Sequence, residues 1–524
     1  MSASDTPEVE LLALGTMTPV AITRSGAVRG TQSDATSTTG TRFTTLSFKG
    51  IPFAQAPINA LRWKPPVREI AWEDERDATA HGPICSQNDM MLEAMMGASE
   101  TVKSEDCLTL NVCTPGLTGK RPVMVWIHGG AFQFGSGSTP WYDGSQFVHN
   151  GDVVVVTLNY RLGPLGFLHL EDLFGSEFAG SGNLGVLDQI AALEWVQESI
   201  ESFGGDASNV TIFGESAGGG SVSTLMGTPA ARPGVLFHKV IAQSGAASWG
   251  LTRDQATANT QRIIDALGIQ AGDVEALRNA SVDAIVQASS VLGLETAGAT
   301  LPFAPVIDGT VLPQSPLEAV REGSARGVAL LTGTNLDEMT LFNLIDPALA
   351  NIDEDGLVMR VSAKFEDAQT LVKQYRGERP DISLSDLWTV MSSDVVFRIP
   401  AIRLVEAHLA HGSAHMYLFT WPTPVFGGAL KSCHAVEIPF VFNNLEQPGV
   451  PIFLGDGPER RDIADRMHAA WIRFAHVNDP GHATIPAWPA YDSDRRATMV
   501  IDTQWELQDD PYGSERVLWD TWAG

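Results

Sequence analysis

Cysteine is scarce in this chain: four in 524 residues (Cys85, Cys107, Cys113 and Cys433), with no C-x-x-C pair. That excludes a disulfide-dense scaffold and leaves no thiolate cluster for zinc or redox chemistry. Positive charge is short too. With 34 Lys and Arg against 62 Asp and Glu the net charge is −28, which repels phosphate backbones and anionic membrane faces and so excludes nucleic acid as a partner. The acidic excess is spread without a block, so it speaks to solubility rather than to a ligand. Long apolar runs are missing as well: nothing approaches the roughly 18 unbroken apolar residues of a membrane span. Met1 to Val20 carries Asp5, Glu8 and Glu10 around a short apolar patch and lacks the basic start and longer apolar run of a secretory leader. The expectation is a soluble, cytoplasmic protein.

What is present describes a large, loop-rich globular chain: 44% hydrophobic, 18% charged, 50 Gly and 30 Pro. Val123 to Ile127 runs into His128-Gly129-Gly130, and Val153 to Leu158 runs into Asn159-Tyr160-Arg161. Continuous apolar runs of this length predict strands buried on both faces of a parallel sheet. Leu184, Leu187, Ile190, Ala191, Leu193, Trp195, Val196 and Ile200 recur every three or four residues before Phe203-Gly204-Gly205, which predicts an amphipathic helix with a glycine stop. Val210 to Phe213 runs straight into Gly214, and small residues follow from Ala217 to Met226: strand, tight turn, helix. Further strands are expected at Val240 to Ala242, Val328 to Thr332 and Met416 to Thr420, with helical periodicity between them and over Ile463 to Val477. This alternation predicts an α/β fold built on one large, mostly parallel sheet flanked by helices. No repeat, low-complexity tract or linker divides the chain, so residues 1–524 read as a single domain with insertions at 250–325 and 340–412.

Gly214-Glu215-Ser216-Ala217-Gly218 fits G-x-S-x-G, where flanking glycines remove the clashes that a sharp strand-to-helix turn creates around an exposed serine. Five residues alone are equally compatible with an ordinary turn; the preceding β-branched strand and the following small residues make Ser216 the candidate nucleophile. At a helix N-terminus its Oγ sits in a positive potential, and the Ala217 N–H faces negative charge developing on a substrate oxygen. A second glycine-rich turn, His128-Gly129-Gly130-Ala131-Phe132, matches the loop type that supplies the remaining oxyanion donors. A serine hydroxyl also needs a base and a carboxylate to orient it. Twelve histidines compete for the first role, and after the strand ending at Thr332 the adjacent Asp337 and Glu338 compete for the second.

These motifs, with Ser104 to Val112, Asn159 to Gly163, Phe48 to Ala54, Asp188-Gln189, Phe203 to Asp206 and Trp488 to Tyr491, resemble in order those of the type-B carboxylesterases, relatives of the cholinesterases, in their bacterial form. The resemblance implies the α/β-hydrolase fold and a triad of Ser216, Glu338 and His434, in the chain order of that fold. It implies an oxyanion hole of Gly130, Ala131 and Ala217, and a pocket lined by Phe132, Glu215, Leu301, Phe303, Leu341 and Phe342. It implies a disulfide between Cys85 and Cys107, structural ion pairs of Arg62 with Glu105 and of Arg161 with Asp188, and a Ser244 hydroxyl bonded near the triad acid. Two departures are informative. The Cys85 to Cys107 loop holds Met90, Met91, Met95 and Met96 but no Trp, which argues against a cation–π choline site. Ala131 stands where many relatives have glycine; its N–H survives, but its methyl narrows the space for esters of bulky tertiary alcohols.

The expected function is a serine carboxylesterase hydrolysing uncharged esters, with short to medium acyl groups and alkyl or aryl alcohols, through an acyl-enzyme. It needs no cofactor and no metal; its partner is the small-molecule ester, and it works as a monomer or small homo-oligomer. The same apparatus would serve a carbamate or amide hydrolase, and a non-catalytic cholinesterase-like binding protein is the alternative from another class. His408, His411 and His415 have helical spacing but lack the glutamate of a zinc-hydrolase motif.

Overall fold

The computed structural model describes residues 18–36, 42–97, 102–292, 301–344, 346–362, 365 and 367–520. Of the leader reading, only Thr18 to Val20 lie within it; Met1 to Met17 fall outside the described residues.

Eleven strands make the central sheet: β1 (Thr31–Thr36), β2 (Arg42–Pro52), β3 (Thr109–Thr114), β4 (Arg121–Ile127), β5 (Val154–Leu158), β6 (Gly205–Glu215), β7 (Lys239–Gln243), β8 (Ala329–Asn335), β9 (Ala414–Phe419), β10 (Ala497–Ile501) and β11 (Glu506–Asp509). Their spatial order is β11-β10-β9-β8-β7-β6-β4-β5-β3-β2-β1. From β5 to β10 every neighbouring pair is parallel. Antiparallel pairs finish both edges: β5 with β3, β3 with β2, β2 with β1, and β10 with β11. The apolar runs are continuous because both faces are covered. Along β4, Val123, Val125 and Ile127 enter one core cluster while Met124 and Trp126 enter the other, as the two-residue pleat requires.

The helices used below are α1 (Leu184–Ser199), α2 (Ala217–Met226), α3 (Ala368–Glu378), α4 (Leu384–Ser393), α5 (Ile399–His408), α6 (Glu459–Val477) and α7 (Gly513–Asp520). The expected elements are present, and β6 and α6 extend beyond their predicted starts. Helix α1 corrects the amphipathic reading. Asp188, Gln189 and Ser199 are buried along with its apolar residues, and Glu198 is its one exposed residue. It is a core helix because Asp188 is neutralised inside: both its carboxylate oxygens take the Arg161 guanidinium, at 2.8 and 2.6 Å, and Oδ2 also accepts the Arg161 N–H at 3.0 Å. Breaking such a pair would strand a buried charge, which is why it needs both members. The Arg62–Glu105 pair is likewise bidentate, at 2.6 Å on each arm. The segments between β7 and β8 and between β8 and β9 are largely helical and include α3, α4 and α5. Among the described residues, no helix is long and apolar enough to cross a membrane.

Candidate active site

In open α/β sheets, ligands bind beyond the carboxyl ends of the parallel strands, and here β4, β6, β7 and β8 each end in a turn at that edge. Ser216 lies between β6 and α2 with φ 56° and ψ −125°, a conformation that side chains rarely adopt. The turn is held from both sides: the Ser216 N–H donates to Gln243 O at 2.9 Å, and Ser216 O accepts the Gly220 N–H at 2.8 Å. The motif glycines are required by close approach. A Cβ on Gly214 would lie 2.5 Å from Ile127 O, and one on Gly218 only 2.0 Å from the same atom.

The turn after β4 reaches Ser216 from the side; a Cβ on Gly129 would lie 3.1 Å from Ser216 Cβ. Gly130, Ala131 and Phe132 follow with φ of 106°, 53° and 59°, so successive N–H groups curve into a concave anion nest. Gly130 O is occupied by the N–H groups of Gln133 and Phe134, at 2.9 and 3.0 Å, and Phe132 O by the Gly163 N–H at 2.7 Å. Among the described residues, the N–H groups of Gly130, Ala131 and Ala217 have no acceptor. His128 anchors the base of the loop. Its Nδ1 bonds Gly129 O at 2.8 Å, its ring stacks on Tyr160 at 4.6 Å, and the Tyr160 hydroxyl donates to His128 O at 2.9 Å. Burial pulls His128 down to about 4, so it is a neutral brace rather than a base.

His434 and Glu338, from loops after β9 and β8, meet at His434 Nδ1 and Glu338 Oε2, 2.6 Å apart. Glu338 Oε1 accepts the Asn335 N–H at 2.7 Å and Glu338 O accepts the His434 N–H at 3.2 Å, so Glu338 is held by its own turn and by the His434 loop. Asp337, the competing carboxylate, instead accepts the Ser432 N–H at 3.4 Å. On the other side of the imidazole, Nε2 lies 3.1 Å from Glu215 Oε1, on the residue next to Ser216. Among the described residues, Ser216 Oγ makes no hydrogen bond; Nε2 faces the neighbouring carboxylate instead.

A third buried carboxylate completes the cluster. Glu437 accepts Asn335 Nδ2 at 2.7 Å and Gln243 Nε2 at 3.1 Å, and burial followed by Glu338 raises its affinity for a proton. Burial alone would lower the His434 imidazole, but Glu215 and then Glu338 outweigh it and lift the group to about 9. Burial also pushes the Glu215 carboxyl up. Both shifts follow from burial and from the 3.1 Å approach of Nε2 to Oε1, an oxygen that has no hydrogen-bond partner among the described residues.

The expected pocket is brought together only in part. The Phe342 ring lies 5.3 Å from the His434 ring, and Phe132 is fully buried with its edge on Phe167 at 5.1 Å. Leu301 and Phe303 pack into the larger core cluster, while Leu341 packs against the smaller one. Two aromatic residues without an expected role take part: Phe397 lies tilted by 40° against the His434 ring at 4.9 Å and meets Trp249 edge-on at 5.7 Å. Glu437 also went unassigned, although its spacing of three from His434 was visible. Of the loop methionines, Met91 is 70% exposed and Met96 is buried.

Three expectations are corrected. Cys85 and Cys107 are both buried free thiols, and the Leu162 N–H donates to Cys85 Sγ at 3.3 Å. Across their loop, Lys103 Nζ donates to Gln87 O at 2.9 Å. The Ser244 hydroxyl is buried without a partner, since Asn335 rather than Ser244 satisfies Glu338. His408, His411 and His415 do not share a helix face: His415 is on β9, and the Nε2 atoms of His408 and His411 bond the carbonyls of Val328 and Arg321, both at 2.8 Å. Among the described residues, no group of His, Cys, Asp and Glu could hold a metal ion.

The carboxylesterase family model matches residues 17–519. The chain belongs to the carboxylesterase family. It is 37% identical to the para-nitrobenzyl esterase of Bacillus subtilis over 502 residues, covering 95% of this chain and 97% of that one. It is 33% identical to the phenmedipham hydrolase of Pseudarthrobacter oxydans, over 92% of this chain and 95% of the relative. A solved carboxylesterase of Geobacillus stearothermophilus superposes with a TM-score of 0.85 at 42% identity, covering 95% of this chain and 99% of that structure. The fold is that of the α/β-hydrolases, and this family member is a carboxylic ester hydrolase.

Proposed function

We propose that Ser216, His434 and Glu338 perform this hydrolysis on small uncharged esters. Ser216 Oγ attacks the ester carbonyl as its proton passes to His434 Nε2, while Glu338 keeps the Nδ1 proton in place and stabilises the imidazolium. The N–H groups of Gly130, Ala131 and Ala217 receive the tetrahedral oxyanion, and the alcohol departs with the proton from Nε2. Water, deprotonated by Nε2, then attacks the acyl carbon, and Nε2 returns that proton to Ser216 Oγ as the acyl–Ser216 bond breaks and the acid leaves. The observation that carries this reading is the 2.6 Å Glu338–His434 bond, with Nε2 aimed at the residue beside a strained serine turn. The apolar rings of Phe342 and Phe397 around His434 favour uncharged, short to medium acyl groups with alkyl or aryl alcohols. On this reading the chain is one catalytic domain over residues 1–524 with insertions at 250–325 and 340–412, acting in the cytoplasm as a monomer or small homo-oligomer without cofactor or metal.

A fluorophosphonate should form a single covalent adduct, mapped by peptide mass spectrometry to Ser216, and turnover of a short-chain aryl ester should persist in chelator. Absence of both labelling and turnover would sink the proposal. A pH profile tests the carboxylate beside the base. His434 must be neutral to take the serine proton, and anionic Glu215 favours its charged form. Glu215→Gln should therefore move the acidic limb of kcat/KM toward lower pH, by about one unit, and lower kcat because the imidazolium loses a partner. A limb that stays in place would show that Glu215 does not set the charge state of His434.

A further inference from the structure

Between α4 and α5 the helix widens into one π turn, Asp394–Arg398, closed by the Ile399 N–H on Asp394 O. Its local cause is Pro400, which lacks an N–H and whose ring would collide with the carbonyl four residues back in a regular α-helix. Such turns concentrate at functional sites, and this one touches both halves of the His434–Glu338 pair. Its Phe397 ring lies 4.9 Å from the His434 ring, and Ser393 Oγ, just before it, accepts the N–H of Met339, the residue after Glu338, at 3.0 Å. One turn earlier, Thr389 Oγ1 accepts Asn343 Nδ2 at 2.9 Å, gripping the short helix Thr340–Asn343 that carries Phe342.

The back of the π turn is charged and buried. Arg398 donates to both Asp394 oxygens, at 2.6 and 3.0 Å, and to Pro511 O at 3.3 Å, and the Tyr375 hydroxyl of α3 donates to Asp394 Oδ2 at 2.6 Å. Glu515 of α7 lies 3.7 Å from Arg398 and accepts Arg379 Nε at 2.5 Å. A buried pair like this adds little net stability over apolar residues of the same volume, so its value lies in fixing a geometry.

We infer that the buried Asp394–Arg398 pair is a positioning device for the catalytic histidine, acting through Phe397 and anchored to the C-terminal helix by Glu515. The pair sets the π turn, the turn seats the Phe397 ring, and the ring fixes one face of the imidazole. The inference rests on His434 being the base; a His434→Ala protein that kept its activity would remove that reading, whereas the variants below retain His434 and judge the positioning alone.

Asp394→Leu combined with Arg398→Met removes both charges and leaves none stranded. With 4-nitrophenyl acetate it should lower kcat about tenfold while KM stays within about twofold, because misplacement of the base acts on the chemical step. Phe397→Leu should give a similar loss. Adding it to the neutral pair should cost almost nothing further, since residues acting through one contact are strongly non-additive. Arg398→Lys, which keeps the charge, should recover most of the rate. Tyr375→Phe is the milder arm should the neutral pair not fold: its kcat loss, about threefold, should also vanish in a Phe397→Leu background. Wild-type kcat in the neutral pair with only a lower melting temperature would overturn the inference. So would losses from pair and ring that simply multiply, in either arm.

Discussion

His434→Ala should lower kcat toward an aryl ester by about 10⁴-fold or more with KM little changed, and Ser216→Ala should do the same. Both act in the chemical steps rather than in binding the ester. Without His434 the serine proton has no acceptor, because Glu215 and Glu338 are positioned to bond the imidazole and not the hydroxyl. Without Ser216 there is no acyl-enzyme to resolve. The double variant should be no slower than either single one, since a triad that works as a unit is lost once. What survives, on the order of 10³-fold over water, would come from the Gly130, Ala131 and Ala217 donors and from substrate binding. Steady-state kinetics with active-site titration reads this directly. A His434→Ala protein within tenfold of wild type would show that another group serves as base.

Gly218→Ala should be among the most damaging single methyl additions in the chain. Its Cβ would stand 2.0 Å from Ile127 O and 2.9 Å from Ile127 C, and backbone atoms at the centre of the sheet cannot swing aside as a flexible side chain does. The strain can be relieved only by parting β4 from the α2 N-terminus, which unseats the Ser216 turn together with the oxyanion loop that follows β4. A loss of about 3 kcal/mol or more is expected, seen as a lowered melting temperature or insolubility, with esterase activity gone from whatever folds. Gly234→Ala is the contrast, since a Cβ there meets nothing within 4 Å; its φ of 81° leaves only the cost of backbone strain. If Gly218→Ala melted like wild type, the close approach of β4 and α2 would be wrong.

Much of this protein was legible one residue after another. Apolar runs without alternation meant strands covered on both faces, and Val123 to Ile127 and Val154 to Leu158 lie at the centre of the sheet. Gly214 and Gly218 around Ser216 meant a turn with no room for side chains, which the contacts with Ile127 explain. Arg161 and Asp188 could be paired from their motifs. Helix α1 is buried nearly all round because Asp188 is neutralised inside by Arg161, which periodicity alone cannot reveal.

By itself, then, the sequence determined the sheet, the serine turn and the glycine loop, since each is written in local patterns of burial and backbone freedom, whereas the proposed acid and base were marked out only by the family resemblance. Tertiary structure alone decided what surrounds the imidazole: Nε2 on Glu215, Glu437 beneath, the Phe342 and Phe397 rings around it, and two cysteines left unbridged. Those relations join loops far apart in the chain. Their distances depend on how strands stack and where a π turn shifts a helix, and no local pattern carries that information.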